Sequence, residues 1–143
     1  MSHISNRYLL IALAMASTIL CAGYTFAKEK SLSVFEQIID SQIEAFQSGR
    51  NERAYSFAAP VIRLQYETSD KFVDMVREYY SPVFNPAWYQ FDEFQEIRGR
   101  PLQAVLIQGP EGKIWKAIYQ FENVSGEWKI SGVRLFLVKA AGA

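Results

Sequence analysis

At Pro86 the apolar residues change their period. Upstream, Phe35, Ile38, Ile39, Ile43 and Phe46 recur at steps that place them on one helical face; downstream, Trp115, Ala117, Tyr119 and Phe121 alternate with Lys116, Gln120 and Glu122 as on a strand. A segment with one period cannot bury its apolar side in the other conformation, so the chain divides into a helical first part and a sheet second part. Helices followed by strands in a chain of 143 residues give an α+β domain with the helices on one face of the sheet.

In the helical part, Ser33-Val34-Phe35-Glu36 has the form of a capping box and Gly49 suits the left-handed position that closes a helix. Glu36, Asp40 and Glu44 fall at steps of four on the opposite side and read as a solvated acidic stripe. A second helix is expected from a cap at Asn51 until Pro60 forces Ala59 out of helical geometry, with Pro60 able to open a short turn of its own. A third starts at Ser69-Asp70, carries Phe72, Val76, Tyr79 and Tyr80, and stops at Ser81-Pro82. Val83-Phe84-Asn85, bracketed by Pro82 and Pro86, reads as an extended link without helix.

In the sheet part, strands are expected at Trp88 to Ile97, Leu102 to Gln108, Lys113 to Asn123 and Glu127 to Val138. The turns between them fall at Arg98-Gly99-Arg100-Pro101, Gly109-Pro110-Glu111-Gly112 and Val124-Ser125-Gly126. Such short connections make a four-stranded antiparallel meander, and with about three helices the whole is a curved sheet over helices. In the last strand Trp128 and Ile130 are in phase with each other, but Val133, Leu135 and Leu137 are one residue out of step. A bulge at Ser131-Gly132 restores the phase and turns Arg134 outward.

Ahead of this domain, Tyr8 to Ala27 carry no charge, behind Arg7 and before Lys28, Glu29 and Lys30. The small residues of Thr25-Phe26-Ala27 before a polar start fit a signal peptide of residues 1–27 cleaved after Ala27. The alternative is a retained inner-membrane anchor, since a helix of residues 8–27 at about 1.5 Å per residue reaches roughly the thickness of a bilayer core. The expected organisation is a signal peptide, a short linker at 28–33, a domain at 34–139 and a tail at 140–143. The expected location is periplasmic or secreted, with membrane contact only if the leader is retained.

His3 and Cys21 are the chain's one histidine and one cysteine, and both lie in the leader. The remainder cannot build a hydrolytic triad, a thiol nucleophile, an imidazole base, a disulfide or a zinc site of imidazole and thiolate. No glycine-rich phosphate cradle is present and no cofactor is implied. Equal counts of 15 basic and 15 acidic residues, without a basic block, leave no electrostatic footprint for nucleic acid.

Five ordered stretches, SQIEAF at 41–46, AYSFAAP at 54–60, FVDMV at 72–76, YSPV at 80–83 and WKISG at 128–132, resemble the bacterial family called domain of unknown function 4864. The resemblance runs roughly from Val34 to Leu137. It implies a cone-shaped fold similar to the cystatin-like and nuclear transport factor 2-like folds, and no assigned activity. Val133 departs from the pattern, standing where members often carry cysteine, which argues against a thiol role.

Two functions follow as expectations. The first is a non-catalytic module that binds a small apolar or amphipathic ligand, or a protein, with a homodimer through the open sheet face as one form. Tyr55, Tyr79, Tyr80, Trp115 and Tyr119 would line its pocket, with Arg134 nearby, although each ring taken singly reads as core packing. The second is an isomerase- or dehydratase-like enzyme with a carboxylate base and tyrosine or arginine donors, for which Asp92, Tyr119 and Arg134 are the candidates.

Overall fold

The computed structural model describes residues 32–139. The leader, the linker up to residue 31 and the tail from residue 140 lie outside the described residues. Helix α1, Val34–Gln47, opens on the expected capping box: Ser33 Oγ accepts from the Glu36 amide at 3.2 Å while a Glu36 carboxylate oxygen accepts from the Ser33 amide at 2.6 Å. It closes on Gly49 at φ 67°, where Gly49 donates to Phe46 and Arg50 donates to Ala45, the paired bonds that satisfy the last carbonyls.

That close leads directly into α2, Asn51–Ser56, so Arg50 holds the cap position and Asn51 is already helical. Asn51 instead donates from its side chain to Asp70 at 3.0 Å, tying α2 to α4, Ser69–Tyr79. Between them Pro60 starts a full short helix, α3, Pro60–Gln65. The expected extended link after Pro82 is also a helical turn, α5, Ser81–Phe84, in which Phe84 donates to Tyr80 and Asn85 to Ser81. Pro82 sits in its first turn, where no amide is required, and Pro86 lies beyond its end. Among the described residues the helices number five rather than about three for these two reasons.

The sheet is the expected meander, with strands in the order β1, Trp88–Ile97; β2, Arg100–Gln108; β3, Ile114–Val124; and β4, Glu127–Leu137, each antiparallel to the next. The first turn is tighter than expected. Arg98 and Gly99 both adopt positive φ, so a two-residue hairpin suffices and Pro101 falls inside β2, opposite Glu96. Pro101 precedes Leu102, where pairing with β3 begins.

Two irregularities bend the sheet. On β1 the register shifts between Phe91 and Phe94, leaving Asp92 and Glu93 exposed at the edge. On β4 the shift falls at Ser131, since Gln120 opposes Gly132 and Phe121 opposes Ile130. This is the bulge expected at Ser131-Gly132, and it leaves Val133 and Leu135 half-buried against the core while Arg134 is exposed.

The helices cover one sheet face. Ile39, Ile43 and Phe46 of α1 pack in one core with Val105, Ile107, Ala117, Tyr119 and Phe121. Aromatic groups gather at both ends of α1. Phe35 meets Phe121, Trp128 and Phe94 at ring separations of 4.8, 5.2 and 5.3 Å, and Phe46 meets Phe84 and Phe72 at 5.7 and 6.0 Å. On the opposite sheet face the Lys116–Asp92 ion pair, 3.1 Å, joins β3 to β1 across β2, whose small Ala104 lies opposite the β1 bulge.

Phe121 is 1% exposed and Phe136, on the outer sheet face, is 53% exposed. Phe121→Ala therefore lowers the unfolding free energy by about 3–5 kcal/mol. Phe136→Ala changes it by no more than about 0.5 kcal/mol. Urea denaturation with an unchanged slope measures both.

Candidate functional site

Residues Phe57 to Ala59 determine where the helical layer meets the sheet. Ile130 donates to the Phe57 carbonyl and accepts from the Ala59 amide, both at 2.8 Å, so this segment forms a parallel bridge on the open edge of β4. Beyond Ala59 the bridge ends, because the Ala59 carbonyl accepts from the Ile62 and Arg63 amides and Pro60 opens α3. Lys129 secures the junction by donating to the Ser56 carbonyl at 3.1 Å. Beyond Ile130 the helices and β4 separate, and the gap between them is a groove of about 790 Å³.

Its floor and far wall come from Phe46 of α1 and Phe72, Met75 and Val76 of α4, with Tyr79 and Tyr80 at the rim. Ile62, Gln65 and Tyr66 of the α3 region form one side, and β4 from Ile130 to Phe136 forms the other. Among the described residues no aspartate or glutamate lines it. Gln42, 3% exposed, also lines the groove, and its side-chain nitrogen is occupied by the Ala54 carbonyl at 3.1 Å.

The residues singled out from the sequence divide. Tyr79, Tyr80 and Arg134 line the groove. Tyr55 lies beneath it as a fastening: its hydroxyl donates to the Tyr66 carbonyl at 2.6 Å and the Arg63 guanidinium lies 4.5 Å over its ring while donating to the Ala58 and Tyr55 carbonyls. Trp115 and Tyr119 belong to the sheet's inner face, and among the described residues the indole nitrogen and the hydroxyl have no hydrogen-bond partner. Asp92, Tyr119 and Arg134 do not converge. Tyr119 is fully buried on the inner face, whereas Asp92 pairs with Lys116 on the outer face and Arg134 stands opposite Ile118.

The acidic stripe of α1 is not uniformly solvated. Glu36 is buried in the capping box, and half-buried Asp40 accepts a short hydrogen bond from the Tyr89 hydroxyl across the helix–sheet interface; Glu44 alone is exposed, paired with Arg50. The steps of four predicted a common side for the three residues, but not that β1 would present a phenol to the middle one. The groove-lining stretch of β4 likewise lacks a motif of its own; its one sequence signal is the phase slip at Ser131-Gly132.

Burial, followed by the hydrogen bond to Asp40 and the charges of Asp40 and Glu44, pushes the Tyr89 phenol above its ordinary range. Burial first, and then Tyr89, does the same to Tyr119. A raised phenol pKa contributes stability that is fully present below the ordinary value near about 10 and is lost as pH climbs through the raised values. In an alkaline spectrophotometric titration these two phenols ionise together with unfolding, and Tyr89→Phe or Tyr119→Phe each removes part of that late absorbance change.

Among the described residues no group of three or more histidine, cysteine, aspartate or glutamate side chains is placed to hold a metal ion, and no helix is long and apolar enough to cross a membrane. A search of curated proteins finds no match. A family profile matches residues 28–143, which include the groove, the bulge and all nine helices and strands described above. The chain belongs to the family described as domain of unknown function (DUF4864).

Proposed function

We propose that this chain is a non-catalytic binding protein whose groove between α4, α3 and β4 takes an apolar or amphipathic molecule. The observation that carries this reading is the lining. Phe46, Phe72, Met75 and Val76 offer apolar walls, Tyr79 and Tyr80 bring polar tips at the rim, and no carboxylate among the described residues is available there as a base. The volume of about 790 Å³ falls within the range of small-molecule sites. Helices packed on one face of a bulged meander support the cystatin-like and nuclear transport factor 2-like comparison at the level of shape alone.

A family match that starts at residue 28 supports taking residues 1–27 as an export signal, with the protein acting in the periplasm or outside the cell. Protein recovered from the exported fraction should begin at Lys28; a chain starting at Met1 in the membrane fraction would favour the anchored form.

Native mass spectrometry of the protein from its own exported compartment should show a retained small molecule. In purified protein, decanoate and an anilinonaphthalene sulfonate dye should compete for one site. Met75→Trp, which fills the groove, should weaken both by about tenfold or more, equivalent to roughly 1.4 kcal/mol, with the thermal transition retained. Binding left unchanged by Met75→Trp would refute the assignment.

A further inference from the structure

Seven consecutive residues, Ile130 to Phe136, line the groove. Successive strand residues point to opposite sheet faces, so an unbroken run can border a groove only along the strand's edge. The main chain of β4 is therefore itself part of the wall.

The direction of its polar groups follows from the ladder. Val138 donates to the Ile114 carbonyl at 2.9 Å, so its main chain faces β3. Stepping back by twos, Phe136, Arg134 and Gly132 face β3 as well, and Leu135 and Val133 turn their N–H and C=O groups to the open side. The extra residue of the bulge, Ser131, shifts the count by one and brings Ile130 to the open side, where it is bonded to Phe57 and Ala59. Phe57–Ala59 thus shows that this edge accepts a parallel strand. Pro60 removes the chain from the edge just before Val133 and Leu135, and among the described residues no backbone hydrogen bond from another element reaches those two.

The two edges of the sheet are treated differently. Edge strand β1 carries a bulge and the exposed acids Asp92, Glu93 and Glu96, features that discourage pairing with another chain. On β4 the bulge at Ser131 lies ahead of the Val133–Leu135 stretch, which itself carries neither a bulge nor an acid. At about 3.3 Å per residue, the lining run extends for roughly 20 Å. The side chains of Val133 and Leu135 lie on the groove side, and between them exposed Arg134 has no carboxylate within salt-bridge reach among the described residues.

We propose that the β4 edge binds an extended segment of a partner protein by strand addition. Apolar residues at alternate positions of that segment enter the groove, and an acidic residue between them is set against Arg134. The inference rests on the groove reading above and names its occupant: main-chain bonds to Val133 and Leu135 supply affinity, while the groove and Arg134 select the sequence. A compact ligand would leave the edge groups of Val133 and Leu135 unused.

The test uses a displayed library of peptides about nine residues long and a synthetic peptide of the enriched sequence. Enriched sequences should alternate apolar residues around a central aspartate or glutamate, and the saturating peptide should slow amide exchange at Val133 and Leu135 by about tenfold or more. Leu135→Pro removes one outward donor without touching the β3 ladder, and it should abolish peptide binding. Arg134→Glu, which alters no main-chain bond, should shift the preferred central residue from acidic to basic, and this holds as a test even if the proline variant does not fold.

Dye binding in the groove without enrichment of alternating peptides, or with enriched peptides protecting other amides, would overturn strand addition and leave the groove assignment standing. Loss of both dye and peptide binding would remove both. Protection of Val133 and Leu135 that grows with protein concentration alone would put a second copy on the edge and also overturn the proposal.

Discussion

Two hydrogen bonds between Ile130 and the Phe57–Ala59 segment govern the arrangement of this domain. They are the point at which the helical layer is bonded to a strand edge through the main chain, and everything nearby takes its position from them. The bulge at Ser131 follows immediately, Pro60 turns the chain into α3, and Lys129 donates to Ser56 across the same junction. The bridge brings α3 opposite β4, where half-buried Ile62 packs against the core and the rest of the helix is exposed. An exposed six-residue helix is too short to persist by its own propensity. It is held instead by Arg63 bonded to the Ala58 and Tyr55 carbonyls and by the Tyr55 hydroxyl on Tyr66.

The same junction explains why the groove is apolar and catalytically bare. The side chains facing it come from the flank of the hydrophobic core, where the helices cease to cover the sheet, so they are the residue types a core requires. Among the described residues, the interior carboxylates lie elsewhere. Glu36 is committed to a helix cap and Asp40 to Tyr89, both on the α1 side facing β1. A carboxylate beside a phenol is a combination with chemical potential, but here each group holds the other across a packed interface and neither lines the groove.

Much of the architecture was legible because periodicity reports burial directly. The change of period at Pro86, the capping box at Ser33, the meander and the phase slip in the last strand each correspond to a feature of the fold, and the slip at Ser131 was enough to turn Arg134 outward. What escaped was local chain geometry decided by tertiary contacts. By its local pattern Pro82 marks an interruption, whereas the first turn of a helix needs no amide at that point. Asn51 has the chemistry of a cap, but the closing bonds of α1 leave that role to Arg50. For the candidate site the limit is more fundamental. Strand spacing shows that Trp115 and Tyr119 face inward, and it cannot distinguish a ring lining a groove from one packed away from it, because that depends on where the helical layer ends.

Where the layer ends is in turn set by an asymmetry of edges. A sheet of four strands has two free borders, and an unprotected border is an aggregation hazard that folded chains suppress. This chain suppresses one with acids and a bulge, and covers part of the other with its own residues 57–59. Covering all of β4 would have required only that the segment continue past Ala59, yet Pro60 stands at the first residue that would have extended it. A proline there both ends the self-pairing and begins the helix that walls the groove, so the open stretch of edge and the apolar gap beside it arise from the same residue.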